Sequence, residues 1–148
     1  MRLAASHSGD VLLLDTHVLI WTLEGDRRVG RSTRALLART EARGAFRVSP
    51  VSLFEVTALH TLGRIRLTRT PDEWIEEALA DGRVRIAELT RAMAIEAGAI
   101  PRMALEDPMD RLLVATARGL DATFLTSDHR ILKYAAATTT LRAHDASR

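Results

Sequence analysis

The chain has no cysteine. Disulfides and thiolate metal sites are therefore excluded, and the composition suits a reducing compartment, with the cytoplasm as the expected location. Lysine is almost absent too: Lys133 is the only one among 21 basic residues. Because the rest is arginine, which does not titrate below pH ~12, the pI is about 9.9 although the formal net charge is only +2. Arginine's planar fork matches phosphate oxygens, so a nucleic-acid partner is permitted, though not demanded. No apolar run approaches the roughly 20 residues that would span a bilayer. The opening "MRLAASHSGD" lacks an apolar h-region and so is not a secretory signal. It reads as a short extension over residues 1–9, leaving 10–148 as one domain, a size sufficient to enclose a core.

Short apolar runs alternate with longer amphipathic segments. "VLLLD" (11–15), "AFRVS" (45–49), "RVRIAEL" (83–89) and "TFLTSD" (123–128) read as strands, and "TTTLRA" (138–143) as a last one. Helical patterns lie between them. "THVLIWTLEG" and "RSTRALLARTEARG" are expected to stop at Gly25 and Gly44. "SPVSLFEVTALHTLG" begins with Ser49 as cap and Pro50 first in the helix, and "TPDEWIEEALADG" carries a capping box from Thr70 to Glu73. "TRAMAIEAGAI" and "DPMDRLLVATARGL" follow, and Lys133 falls in a further helix after "TSD". This alternation implies an α/β layer fold with a mainly parallel sheet.

In such sheets ligands bind beyond the carboxyl ends of the strands. Asp15 and Asp128 each end a strand and precede a helix. Taken singly, each is explained as a helix cap. Glu55 is harder to account for, because it falls within the expected apolar stripe Val51, Phe54, Ala58, Leu59 and Leu62. A carboxylate there is costly unless paired or bound to a metal. Asp107 caps the helix that Pro108 opens, and Asp110 sits in its first turn. Were these acids to converge, their repulsion would call for a cation. An all-oxygen donor set suits Mg²⁺ or Mn²⁺, which position and activate water against phosphates.

Around the acids, His17 and His129 are adjacent to strand-end aspartates, and Arg111 adjoins Asp110, where it could offset charge or meet phosphate. The clusters Arg27/Arg28/Arg31/Arg34 and Arg64/Arg66/Arg69 could follow a nucleic-acid backbone or simply be solvated helix ends. Trp21 reads as packing or as a base-stacking ring, and Trp74, on an otherwise acidic helix, as a surface for a partner.

"LLLDTHVLIW", "SPVSLFEV", "DPMDRLLVATA" and "TFLTSD", in that order, resemble the PIN-domain ribonucleases, specifically the VapC-type toxins of toxin–antitoxin pairs. The likeness runs from Val11 to about Ala143. It implies a three-layer α/β/α fold with about five parallel strands and metal-dependent hydrolysis of RNA. By motif, Asp15, Glu55 and Asp110 are similar to the family's three most regular acids and Asp128 to the fourth. These four would hold Mg²⁺ or Mn²⁺ and carry catalysis. Thr126 and Ser127 match the hydroxyl position that supports a metal-bound water, Thr16 could act likewise, and Asp107 and Arg111 could assist. A homodimer silenced by a cognate antitoxin is also implied. Two rivals are a PIN-like RNA-binding or assembly module without catalysis, and a phosphoacceptor or phosphatase domain using Asp15. The second lacks the aspartate two residues after Asp15 that such phosphatases use.

Overall fold

The computed structural model describes residues 11–44 and 46–148, so the expected extension and the first residue of the "AFRVS" strand lie outside it. Five short strands are described: β1 (Leu12–Leu14), β2 (Phe46–Val48), β3 (Val84–Ile86), β4 (Thr123–Thr126) and β5 (Arg142–Asp145). They form one sheet in the order β3-β2-β1-β4-β5, parallel throughout. Parallel neighbours need crossovers, and helices supply them. These are α1 (Thr16–Glu24), α2 (Arg31–Glu41), α3 (Pro50–Thr61), α4 (Pro71–Ala80), α5 (Arg91–Ala99), α6 (Pro108–Leu120) and α7 (His129–Ala136).

Alternation along each strand divides the interior into two cores, one on each face of the sheet. Leu12, Leu14 and Leu125 pack on one side with Val18, Leu19, Leu37 and Trp74. Leu13 and Phe124 face the other, against Leu113, Val114 and Ala117 of α6 and Ile131 of α7. The central leucines of β1 have no exposed surface, and each such burial contributes about 1.5–3 kcal/mol. The result is the three-layer α/β/α arrangement expected. Among the described residues no helix is long and apolar enough to cross a membrane.

Local details depart from expectation. α1 ends at Gly25 in the left-handed conformation, as its sequence indicates, but α2 stops at Glu41, before Gly44. The last strand begins at Arg142, later than the β-branched run suggests. Thr138 and Thr140 are instead tied into a turn by their hydroxyls, and β5 takes its register from Thr123 to Thr126 of β4. α3 is also rolled from its expected orientation: its buried residues are Val51, Ser52 and Val56, while Phe54 and Leu62 are 61% and 68% exposed. Trp74 is no surface for a partner. It is only 5% exposed, and its indole N–H donates to Glu24 Oε2 at 2.9 Å, so the ring closes the core between α1 and α4.

Gly30, just before α2, has an ordinary φ of −74°, so what it requires is space. A Cβ there would stand 2.1 Å from the Arg148 backbone, while the Gly30 N–H donates to the Ala146 carbonyl and Thr33 donates to that of Arg148. Gly30→Ala is therefore expected to cost about 1–3 kcal/mol by overpacking. The loss should appear as a lower urea midpoint at unchanged slope; an unaltered midpoint would mean that residues 146–148 do not pack there.

Candidate active site

The strand order reverses at β1: the chain moves to β2 and β3 on one side, then crosses to β4 and β5 on the other. Loops diverge at that point and leave a crevice beyond the strand ends. Asp15 and Asp128 reach it from β1 and β4, which are paired neighbours joined further by the Asp15 N–H donating to the Leu125 carbonyl. α3, entered from the adjacent β2, brings Glu55. α6 runs back toward the start of β4, so its first turn, bearing Asp110, lies over the same edge. One cleft of about 300 Å³ is lined by Asp15, Glu55, Asp107, Asp110 and Asp128, together with Thr16, His17, Ser127 and Arg130.

Hydroxyls from buried residues orient the acids. Thr126 Oγ1, fully buried, donates to Asp15 Oδ2 at 2.7 Å and accepts the Asp128 N–H at 3.0 Å. The Thr16 N–H donates to Asp15 Oδ1 at 2.8 Å, and the Thr16 hydroxyl donates to Glu55 Oε1 at 2.5 Å. Ser52 Oγ, also fully buried, lies 2.9 Å from that hydroxyl. Capping and site geometry coexist here: Asp107 and Asp128 each use one carboxylate oxygen on a helical N–H, from Met109 and Arg130 respectively. Ser127 lines the cleft, whereas Arg111 does not; its Nη2 donates to the Glu106 carbonyl. His17 is exposed at the rim, 6.0 Å from the Trp21 ring, whose face is covered by Arg28.

The electrostatics are those of uncompensated negative charge. Burial, first, raises the Asp15 carboxyl above its ordinary value, with Asp128 adding to it, against the Thr126 and Thr16 hydrogen bonds and His17. Burial likewise raises Glu55, helped by Asp15 and Asp107 and opposed by Thr16 and His17. Asp110 is pushed up to about 7, by burial and then by Asp107, Asp15, Asp128 and Glu55. Among the described residues no ion pair neutralises any of the five acids, Asp15, Glu55, Asp107, Asp110 and Asp128. Nor do three Asp, Glu or His side chains there stand close enough together to hold a metal ion between them. The donor set still fits a hard divalent cation, since Mg²⁺ keeps several waters and binds through one or two carboxylates.

Ser52 and Arg130 are absent from the residues that sequence reasoning singled out. Ser52 carries no signal beyond its place in "SPVSLFEV", and Arg130 is marked only by its position two residues after Asp128.

The model of the PIN domain family matches residues 12–137, a span that includes all five acids of the cleft. The chain belongs to the PIN-domain family. This PIN domain is 30% identical over 120 residues to Ribonuclease VapC22 of Mycobacterium tuberculosis, covering 81% of this chain and 88% of that one. In fold it is similar to a solved VapBC2 complex from Rickettsia felis bound to promoter DNA, at TM-score 0.65 and 16% identity, with 90% and 97% of the two chains covered. A DNA-bound VapBC from Salmonella typhimurium aligns at TM-score 0.60 and 19% identity, over 90% and 96%.

Proposed function

We propose that this PIN domain is a VapC-type endoribonuclease, hydrolysing RNA phosphodiester bonds with Mg²⁺ or Mn²⁺ as the toxin of a toxin–antitoxin pair. The observation that carries the reading is the convergence of Asp15, Glu55, Asp110 and Asp128 on one cleft, where none of them forms an ion pair among the described residues. The likeness to a relative named a ribonuclease supports RNA as the substrate class, and the solved VapBC complexes support a cognate antitoxin.

Asp15, Glu55 and Asp110 would hold the ion, directly or through water, with Asp128 beside them. When bound, the ion supplies Lewis acidity toward the phosphate and acidifies water. Thr126 and Thr16 keep the Asp15 and Glu55 oxygens in fixed orientation, so little reorganisation is needed as charge develops. Ser127 and Asp107 line the approach, where the Ser127 hydroxyl can donate or accept hydrogen bonds with water and the Asp107 carboxylate can accept them. We assign residues 10–148 to a single catalytic domain, acting in the cytoplasm as a homodimer. The exposed Phe54 on α3 and Leu62 just after it supply apolar surface for protein contacts.

The test is cleavage of single-stranded RNA by purified protein. Activity should vanish in EDTA and return with Mg²⁺ or Mn²⁺. Cleavage undiminished by a chelator would overturn the metal-dependent reading.

A further inference from the structure

A second cavity, of about 540 Å³, opens beside the acid cleft and shares Asp107, Asp110 and Arg130 with it. Its chemistry differs beyond that shared edge. One wall is α7, where Arg130, Lys133 and Tyr134, with Ala137 just past its end, follow the spacing of a single helix face. The opposite wall is the segment before α6, with Met103 99% exposed and Leu105 buried.

Three features suit a nucleotide strand. Arg130 and Lys133 are exposed, and neither has an ion pair among the described residues. Tyr134 is half-buried and fixed, its hydroxyl accepting from Arg118 Nη2 at 2.5 Å with that guanidinium 5.4 Å from the ring centre. The volume lies within the range that encloses small ligands. Spaced cations beside an aromatic ring are the common means of holding single strands without reading sequence. The groove adjoins the acid cleft through Asp107, Asp110 and Arg130, with Glu106 also on its 103–107 wall, so a strand cut at the acids has its flanking nucleotide next to α7.

We propose that the groove between α7 and the 103–107 segment seats the nucleotide flanking the scissile phosphate, with Lys133 and Arg130 on backbone phosphate and Tyr134 as the stacking wall. The position relative to the scissile bond rests on the nuclease reading above, whereas RNA binding in the groove does not.

The experiment follows a short fluorescein-labelled single-stranded RNA by anisotropy in EDTA across a salt series, comparing wild type with Lys133→Ala, Lys133→Glu and Lys133→Arg. Lys133 is exposed, so these changes leave the fold intact. Lys133→Ala should bind about 3- to 10-fold more weakly, with a log–log salt slope shallower by about 0.7, the value for one phosphate contact on a single strand. Lys133→Glu should bind more weakly still, and Lys133→Arg should restore wild-type binding. In cleavage with Mg²⁺, KM should rise by a similar factor while kcat stays close to wild type. Unchanged affinity and slope in Lys133→Glu overturn the proposal, whether or not that variant then fails to hold a protein partner. RNA binding that depends on Lys133 in a wild-type protein unable to cleave supports the groove and removes the nuclease reading instead.

Discussion

Asp15→Asn is expected to reduce RNA cleavage by at least about 100-fold and to leave the fold intact. Replacing a residue that only supports a metal ligand commonly costs 10- to 100-fold, and Asp15 is proposed to be a ligand itself. The substitution keeps shape and removes charge. Asn can still accept the Thr16 N–H that Asp15 Oδ1 accepts now. Its amide would face the Thr126 hydroxyl, which already accepts the Asp128 N–H. That local mismatch is small beside the relief of repulsion on Asp110 and Glu55, both of which feel the Asp15 charge. The variant should therefore melt within a few degrees of wild type in EDTA while being inactive in Mg²⁺. Near-normal cleavage by a folded Asp15→Asn protein would remove Asp15 from the mechanism.

Asp110→Asn should make the metal-free protein more stable and the enzyme inactive. Asp110 titrates near 7 in the fold against an ordinary 3.8, so the folded state favours its protonated form. Between those two values the fold binds more protons than the unfolded chain. The contribution of this group to stability therefore falls as pH rises from about 4 to 7, and the full penalty is present above 7. Allowing for the open side of the cleft, the penalty is on the order of 1–2 kcal/mol at pH 8, or a few degrees in Tm. Asn removes it, since among the described residues Asp110 makes no hydrogen bond through its side chain that would be lost, apart from a modest first-turn dipole term. Thermal melts in EDTA at pH 5 and pH 8 read this directly: wild type should lose more stability than Asp110→Asn between the two. Added Mg²⁺ or Mn²⁺ should raise the wild-type Tm more at pH 8 than at pH 5, because binding needs the deprotonated carboxylates. Equal pH dependence in the two proteins would show that the acids are not coupled in one cleft.

Most features whose partners are near in the chain were determined by the sequence alone, the early stop of α2 at Glu41 and the late start of β5 at Arg142 being exceptions. Buried runs around 12–14 and 123–126 specify strands, and Ser49, Thr70 and Asp107 specify helix starts, because side-chain period and cap hydrogen bonds involve residues within one turn. The identity of each acid and its place at a strand end, in a first turn or, for Glu55, within a helix are equally local. Tertiary packing alone decided what depends on distant partners. It brought Asp15, Glu55, Asp110 and Asp128 to one crevice through the order β3-β2-β1-β4-β5, and it supplied buried Ser52 and Thr126 as their supports. It also rolled α3 to expose Phe54, buried Trp74 behind Glu24, and pressed Gly30 against Arg148. A helix's pattern limits which side chains can share a face. Which face turns inward is settled by the surfaces it meets, and those come from elsewhere in the chain.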